Sequence, residues 1–240
     1  MTSVKNYIIV IPVFNEEKRV EKGILGLENF VYHKLKEYPI KIIIADGKST
    51  DKTTEIVKKL EKKFNNLRLK EIGRKGKGFQ LKKTFLEEKA DFFIQMDIDL
   101  AVPLKYMEEL IFWLEKGCDI VIGSRFKKES KVKRSIYRRI LSSGYSFLVR
   151  LFFGTSIMDY QCGFKGLNSE KIKLVLPETK DNKWFFDTEL ILRGLKKGFK
   201  IKEIPIEWEE KSSSKLNILK DGFLMFFSLL RLRLRNRNRN

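Results

Sequence analysis

Short, uninterrupted apolar runs alternate with longer stretches in which apolar positions recur every three or four residues. Tyr7–Ile11 and Ile40–Ala45 are continuous and rich in β-branched residues, the pattern of strands buried on both faces. Leu67–Ile72, Asp91–Met96 and Asp119–Gly123 follow at similar spacing. Between them, Glu16–Lys36, Lys52–Phe64, Phe79–Glu88 and Pro103–Glu115 read as helices, with Pro103 suited to a first helical position. Strand–helix alternation of this kind predicts an α/β fold with a mostly parallel central sheet flanked by helices. Ligands of such sheets bind beyond the carboxyl ends of the strands.

The second half is less regular. Lys127–Arg139 reads as a basic, strand-free linker, and Ile201–Trp208 as a late strand. Ile136–Phe153 and Asn217–Leu232 are amphipathic and helix-like. Arg231–Asn240 alternates Arg with Leu and then Asn, a low-complexity pattern predicted to be disordered. No internal repeat appears, so residues 1–230 read as one domain with a basic tail at 231–240.

Composition sharpens this picture. The 240 residues carry 50 Lys and Arg against 31 Asp and Glu, a net charge of +19, with 42% hydrophobic residues. Such a surplus predicts an anionic partner: nucleic acid, a membrane surface or a phosphorylated substrate. Cys118 and Cys162 lack the spacing of a zinc site or a disulfide framework and read as reduced thiols of a cytosolic protein. His33 is the only histidine, so a histidine-based mechanism is not expected. Met1–Asn6 leads straight into a strand pattern, without a secretory leader. The apolar run Gly222–Leu230 is far short of the ~20 residues a spanning helix needs.

Met96-Asp97-Ile98-Asp99 is the strongest chemical signal. Two carboxylates, two residues apart at the end of an apolar strand, offer the oxygen ligands that Mg²⁺ or Mn²⁺ takes alongside substrate phosphates. Two other strand ends are also polar: Pro12-Val13-Phe14-Asn15-Glu16-Glu17 and Asp46-Gly47-Lys48-Ser49-Thr50-Asp51. Asp51 is placed to cap the next helix. Asp46, at the strand tip, is placed to accept from a base N–H or a ribose hydroxyl.

These three segments, in this order, resemble the GT-A glycosyltransferases of family 2 over nearly the whole chain. Met158-Asp159-Tyr160-Gln161-Cys162-Gly163-Phe164-Lys165, Trp184-Phe185-Phe186-Asp187-Thr188-Glu189-Leu190 and Trp208 with Ser214-Lys215-Leu216 resemble segments of the dolichyl-phosphate glucosyltransferases. Dolichyl-phosphate mannosyltransferases share the outline. The resemblance implies a nucleotide-sugar donor lined by Pro12, Asn15, Glu16 and Asp46. Asp97 and Asp99 would hold the metal and the donor diphosphate, while Lys77 and Lys215 would reach its phosphates. The acceptor side would comprise Arg125, Arg138, Ser142 and Gln161, with Arg139 and Ser143 as the adjacent register. Asp187 would be a base or an anchor for sugar hydroxyls. The chain departs from the family at Gly47, often a second acid, and at Ala101, often polar in mannose-transferring relatives.

In Ile136–Phe153, Arg138, Ser142, Ser146 and Arg150 recur every four residues beside a broad apolar face. Such a helix suits a membrane interface, with Asn217–Leu232 and its Phe223, Phe226 and Phe227 as partner. Lipid-phosphate members of the family use two interfacial helices near the acceptor, in agreement. A phosphomonoester acceptor is largely dianionic near neutral pH and needs no general base. The expected activity is inverting transfer of glucose from UDP-glucose to a polyprenyl or dolichyl phosphate, peripherally on the cytoplasmic face of a membrane. Its rivals are transfer from GDP-mannose, transfer to a glycan hydroxyl and, from another class, a basic nucleic-acid-binding module.

Overall fold

The computed structural model describes residues 4–210 and 218–237, and in the last helix the side chains of 222–235. Ser214-Lys215-Leu216, and with it the expected phosphate contact of Lys215, lies outside the described residues. The N-terminal apolar runs become strands β1 (Tyr7–Val13), β2 (Ile40–Asp46), β3 (Leu67–Glu71) and β4 (Phe92–Gln95). The amphipathic stretches between and after them become α1 (Val20–Lys34), α2 (Thr53–Glu61), α3 (Lys77–Glu87) and α4 (Tyr106–Glu115). Pro103 does not open α4. Its carbonyl accepts from Tyr106 N at 3.2 Å, so it forms a turn before the helix.

β5 (Ile120–Ser124) follows α4, and then two segments depart from the sequence reading. The predicted linker contains β6 (Lys131–Lys133), which pairs in parallel with β9 (Glu207–Glu209). The late strand is split at Ile206 into β8 (Ile201–Pro205) and β9, so the chain leaves the main sheet to pair with β6. Between them run α5 (Ile136–Phe153), with the bounds the sequence predicts, then β7 (Lys165–Asn168), α6 (Ser169–Val175) and α7 (Phe186–Lys196).

The seven-stranded sheet has the order β3-β2-β1-β4-β7-β5-β8. Every neighbouring pair is parallel except those made by β7, which runs antiparallel to both β4 and β5. The mostly parallel expectation therefore holds. β1, β2 and β4 are buried along almost their whole length, and the helices that pack on them supply Val20, Ile24, Leu27, Leu81, Phe85, Leu110 and Leu114 to the same core.

The last helix, α8 (Ile218–Arg237), corrects the predicted disorder of the tail, because it continues through Arg237. Arginine propagates a helix about as well as leucine, and Met225, Leu229 and Leu232 are buried on its inner face. Among the described residues, no helix is long and apolar enough to cross a membrane.

Candidate active site

The carboxyl ends of β1, β2 and β4 bring the three polar segments together. Asn15 adopts φ 53° and ties the first loop to the second. Its N–H donates to Ser49 Oγ at 2.8 Å, and its side-chain oxygen accepts from Thr50 N at 2.8 Å. Glu16 N donates to Thr53 Oγ1 at 2.7 Å, and the Glu16 carboxylate pairs with Arg19. Asp51 accepts from Thr53 N, the first residue of α2, at 3.0 Å and from Glu17 N, but the N-cap position is Lys52, whose side chain makes no capping bond, so Asp51 sits one residue short of the expected cap. Asp46 ends β2, at the strand tip as expected, but it is enclosed. It is 3% exposed, and its two oxygens accept from Ser49 N, Ser49 Oγ and Thr54 Oγ1. It is the post of its own turn rather than an open acceptor. Pro12 is half-buried at the end of β1.

Gly47 has a local explanation. A Cβ there would lie 2.9 Å from the Gln80 amide nitrogen. That amide is buried and donates to the carbonyls of Val13 and Ala45, each at 2.7 Å. Gln80 thus bridges the ends of β1 and β2 from the space a side chain at 47 would fill.

The Asp97-Ile98-Asp99 turn leaves β4 with Ile98 buried and Asp97 open, its side chain 47% exposed. Asp99 Oδ1 accepts from Ala101 N at 3.2 Å, and the Ala101 carbonyl accepts from Glu209 N at 3.1 Å. Position 101 thus contributes its backbone, docking β9 beside the Asp97-Ile98-Asp99 turn. Lys77 Nζ donates to Asp97 Oδ1 at 2.7 Å. Burial works to raise the Asp97 carboxyl, but Lys77 outweighs it and holds Asp97 below the usual carboxylate range. Asp99 is pushed the other way, first by burial and then by the charge of Asp97. The residues fit a hard divalent cation. Two carboxylates stand side by side at the strand end, one of them open, and no third acid, His or Cys joins them among the described residues. A cation held so sparsely has coordination positions left for a diphosphate.

Two further cation–acid pairs line the floor. Arg125 donates to Asp159 through Nε at 2.8 Å and Nη2 at 2.9 Å, a bidentate pair in which Asp159 is fully buried. Arg125, expected to face an acceptor phosphate, is thus clamped onto the acid of the Asp-Tyr-Gln-Cys-Gly-Phe-Lys segment. Burial opposes the Asp159 charge, yet Arg125 keeps its carboxyl below the ordinary range. Asp187 is also buried, and its Oδ1 accepts from Lys165 Nζ at 2.7 Å and Gln95 Nε2 at 2.8 Å. Gly163, between these pairs, abuts the Asp97-Ile98-Asp99 turn: a Cβ there would lie 2.0 Å from Asp97 Oδ2. Gln161 Nε2 donates to Thr188 Oγ1 at 2.6 Å, and Tyr145 OH lies 2.8 Å from the same hydroxyl. Tyr145 therefore ties α5 to α7, and Gln161 is held on the same hydroxyl.

The stretch from β6 into α5 holds one residue that the sequence reading missed, Arg134, beside the expected Arg138 and Ser142. Arg134 and Arg125 both stack on Trp208, at 5.3 and 5.7 Å. Arg134 Nη1 donates to Ser142 Oγ at 2.9 Å, while its Nε is buried with no partner among the described residues. Burial first, and then the charge of Arg125, push the Arg134 guanidinium down to about 10. Arg138 pairs with Glu210. Arg134 was hidden in the basic run read as a linker.

α5 reverses the usual amphipathic arrangement. Its polar stripe faces the protein, where Arg138 and Ser142 are half-buried and Ser146 is buried, while Arg139 and Ser143 lie on the exposed side. Ile140 (64%) and Phe147 (56%) are exposed, as are Ile136, Tyr137 and Leu151. Phe223, Leu224 and Phe227 of α8 are exposed too, and Arg233 of α8 lies over the Phe153 ring of α5.

A layered sheet with paired carboxylates at its carboxyl edge offers a place for a divalent cation and a diphosphate, and comparison with known proteins identifies the family. Residues 8–176 match the model of glycosyl transferase family 2, and the chain belongs to that family. It is 31% identical to the dolichyl-phosphate β-glucosyltransferase of Saccharomyces cerevisiae over 94% of this chain and 73% of that protein. Identity to the Trichomonas vaginalis enzyme ALG5A is 33%, covering 88% and 68%. It is 30% identical to glycosyltransferase AglD of Haloferax volcanii over 93% of its length, yet spans only 36% of that longer protein. Glucosyl-3-phosphoglycerate synthase of Mycobacterium tuberculosis, solved with Mn²⁺ and UDP, superposes with a TM-score of 0.71. The alignment covers 95% of this chain and 80% of that one at 16% identity, which establishes the shared GT-A fold.

Proposed function

We propose that this protein transfers glucose from UDP-glucose to a polyprenyl or dolichyl phosphate at a membrane surface, with inversion at the sugar C1. The observation that carries this reading is the stacking of Arg125 and Arg134 on Trp208, with Arg138 paired to Glu210, at the foot of a helix whose outer face is exposed and apolar. Arg125 and Arg138, each already paired with an acid, both repel the Arg134 guanidinium, and Arg134 Nε is buried without a partner among the described residues. Such a donor set fits a phosphate. A phosphate on a long apolar chain would account for the exposed faces of α5 and α8 as well.

The metal turn serves the donor. Asp97 and Asp99 would hold Mg²⁺ or Mn²⁺, which when bound neutralises the leaving diphosphate. Lys77 adds a cation on the same side, and the loops of Asn15, Glu16 and Asp46 shape the nucleotide end. The acceptor phosphate needs no proton removed, being already largely dianionic near neutral pH. Asp187 is then an anchor for the sugar rather than a base, since Lys165 and Gln95 already engage it. The free thiols of Cys118 and Cys162 suit a reducing compartment, hence the cytoplasmic face of the membrane. The named activities of the yeast and Trichomonas relatives support glucose over mannose.

The test is a screen of UDP- and GDP-sugars with a polyprenyl phosphate in detergent or vesicles. The expected result is a lipid-extractable product from UDP-glucose. Transfer from GDP-mannose alone refutes the donor, and a water-soluble product refutes the lipid acceptor.

A further inference from the structure

Beneath the open carboxylates lies a charge that the reaction just described does not use. Lys165 begins β7, and its side chain is 0% exposed. β7 is an interior strand, paired with β4 on one side and β5 on the other. Packing alone would select an apolar side chain there, because burying an ion pair rarely stabilises more than well-packed apolar residues of the same volume. The Lys165 ammonium donates in two directions, to Asp187 Oδ1 at 2.7 Å and to the Cys162 carbonyl. Gln95 Nε2 donates to the same carboxylate oxygen at 2.8 Å, and Gln95 Oε1 is buried without a partner among the described residues. The hydrogen bonds from Lys165 and Gln95 both fall on Oδ1 and leave Oδ2 out.

We propose that Lys165 is a positioning residue for sugar transfer. Held on one side by the Cys162 carbonyl, it fixes Asp187 Oδ1 so that the carboxylate keeps one orientation at the head of α7. This rests on the reading of the site as a sugar transferase. The two anchors lie in the two motifs that follow the metal turn, Gln161-Cys162-Gly163-Phe164-Lys165 and Phe186-Asp187-Thr188-Glu189. Lys165 therefore joins the strand that floors the site to the helix that walls it. Without the ammonium, Asp187 would keep only its bond from Gln95. A misplacement of about 1 Å in a positioning group costs on the order of 100-fold in rate.

Three variants test this: Lys165→Met, Asp187→Asn, and the two combined. The readouts are kcat and KM for UDP-glucose with polyprenyl phosphate, and thermal unfolding. Lys165→Met is expected to lower kcat about 100-fold and leave KM within about threefold. The double variant is expected to match Asp187→Asn alone, because a residue acting through another adds nothing once that one is gone. A kcat for Lys165→Met within about threefold of the unsubstituted protein overturns the inference. So does a KM that rises by the factor by which kcat falls, or a double variant slower than Asp187→Asn by tenfold or more. If Lys165→Met does not fold, the double variant, which buries no unpaired charge, carries the comparison with Asp187→Asn. Transfer by the unsubstituted protein and by Lys165→Met alike refutes the inference only. Failure of the unsubstituted protein to use any donor with polyprenyl phosphate refutes the proposed function and takes the inference with it.

Discussion

Gly163→Ala isolates the contribution of the metal turn from that of the core. The new Cβ would lie 2.0 Å from Asp97 Oδ2 and 2.7 Å from its Cγ, where ordinary contact begins at 3.4 Å. The carboxylate must therefore move by about 1 Å or more. Asp97 has room to do so, since its side chain is 47% exposed, and the cost in stability should stay below about 1 kcal/mol, as for a surface change. The cost in rate is much larger, about 100-fold for a displacement of this size. Gly166→Ala is the control. There the Cβ would meet Leu110 Cδ2 at 2.3 Å and Leu114 Cδ1 at 2.8 Å, inside the core. Overpacking of that kind costs about 1–3 kcal/mol, and a 1 kcal/mol loss lowers Tm by about 2–4 °C in a chain of this size. Thermal unfolding and glucosyl transfer to polyprenyl phosphate should therefore separate the two variants. Gly163→Ala should lose activity and keep its Tm, and Gly166→Ala should do the reverse. If Gly163→Ala transfers sugar within about threefold of the unsubstituted rate, or melts as early as Gly166→Ala, the reasoning fails.

At saturating donor, Asp99→Ala should lower transfer by about 100-fold or more, the scale for losing one electrostatic stabiliser; an intact rate would remove Asp99 from the site. Ile140→Glu with Phe147→Glu should abolish sedimentation with anionic vesicles and leave Tm unchanged, since each buried apolar side chain is worth about 1.5–3 kcal/mol; unchanged vesicle binding would refute an interfacial α5. Glu28→Gln tests a group outside the site. Burial pushes the Glu28 carboxyl up, against a hydrogen bond from Asn66, and its Oε1 is buried without a partner among the described residues. A carboxyl raised in the folded state contributes stability that is full below its unfolded pKa and is lost as pH rises through the folded one. Glu28→Gln should accordingly gain about 1 kcal/mol at pH 8 and little at pH 4, and an equal effect at both values would contradict that assignment.

The parts of the fold legible in the sequence were those where burial imposes one chemistry. β1 and β2 are buried almost throughout, so their residues are apolar and β-branched. α5 announces itself by a four-residue period, and its bounds are those of the pattern. β7 was illegible as a strand for the opposite reason. It reads Lys-Gly-Leu-Asn, and its lysine is tolerated inside only because Asp187, distant in sequence, is waiting there. The same holds for the site. Asp97 and Asp99 stand out because two acids at a strand end have no packing role. The partners that govern the site, Arg125 with Asp159 and Lys165 with Asp187, are joined only by the fold. Arg134 gave no separate signal within a run of lysines and arginines, and the helical Arg-Leu tail shows that low complexity need not oppose helix formation when leucines on one face find a core.

The antiparallel β7 also sets an order of assembly. β1 to β4 have their partners within the first part of the chain, but the outer edge of β4 pairs with Lys165–Asn168, so Gln95 must wait for Lys165. Until then β4 presents an open, apolar edge, the kind of template that invites another chain to add to it, and contacts so far apart in sequence form slowly. The Asp97 turn is made early, but the glycine that abuts it and the Lys165 ammonium that holds Asp187 arrive with β7. Four of the seven strands, β3, β2, β1 and β4, can therefore pair before β7 is available, and a sheet at that stage lacks Gly163 and Lys165. At that stage a chaperone would have the most to protect.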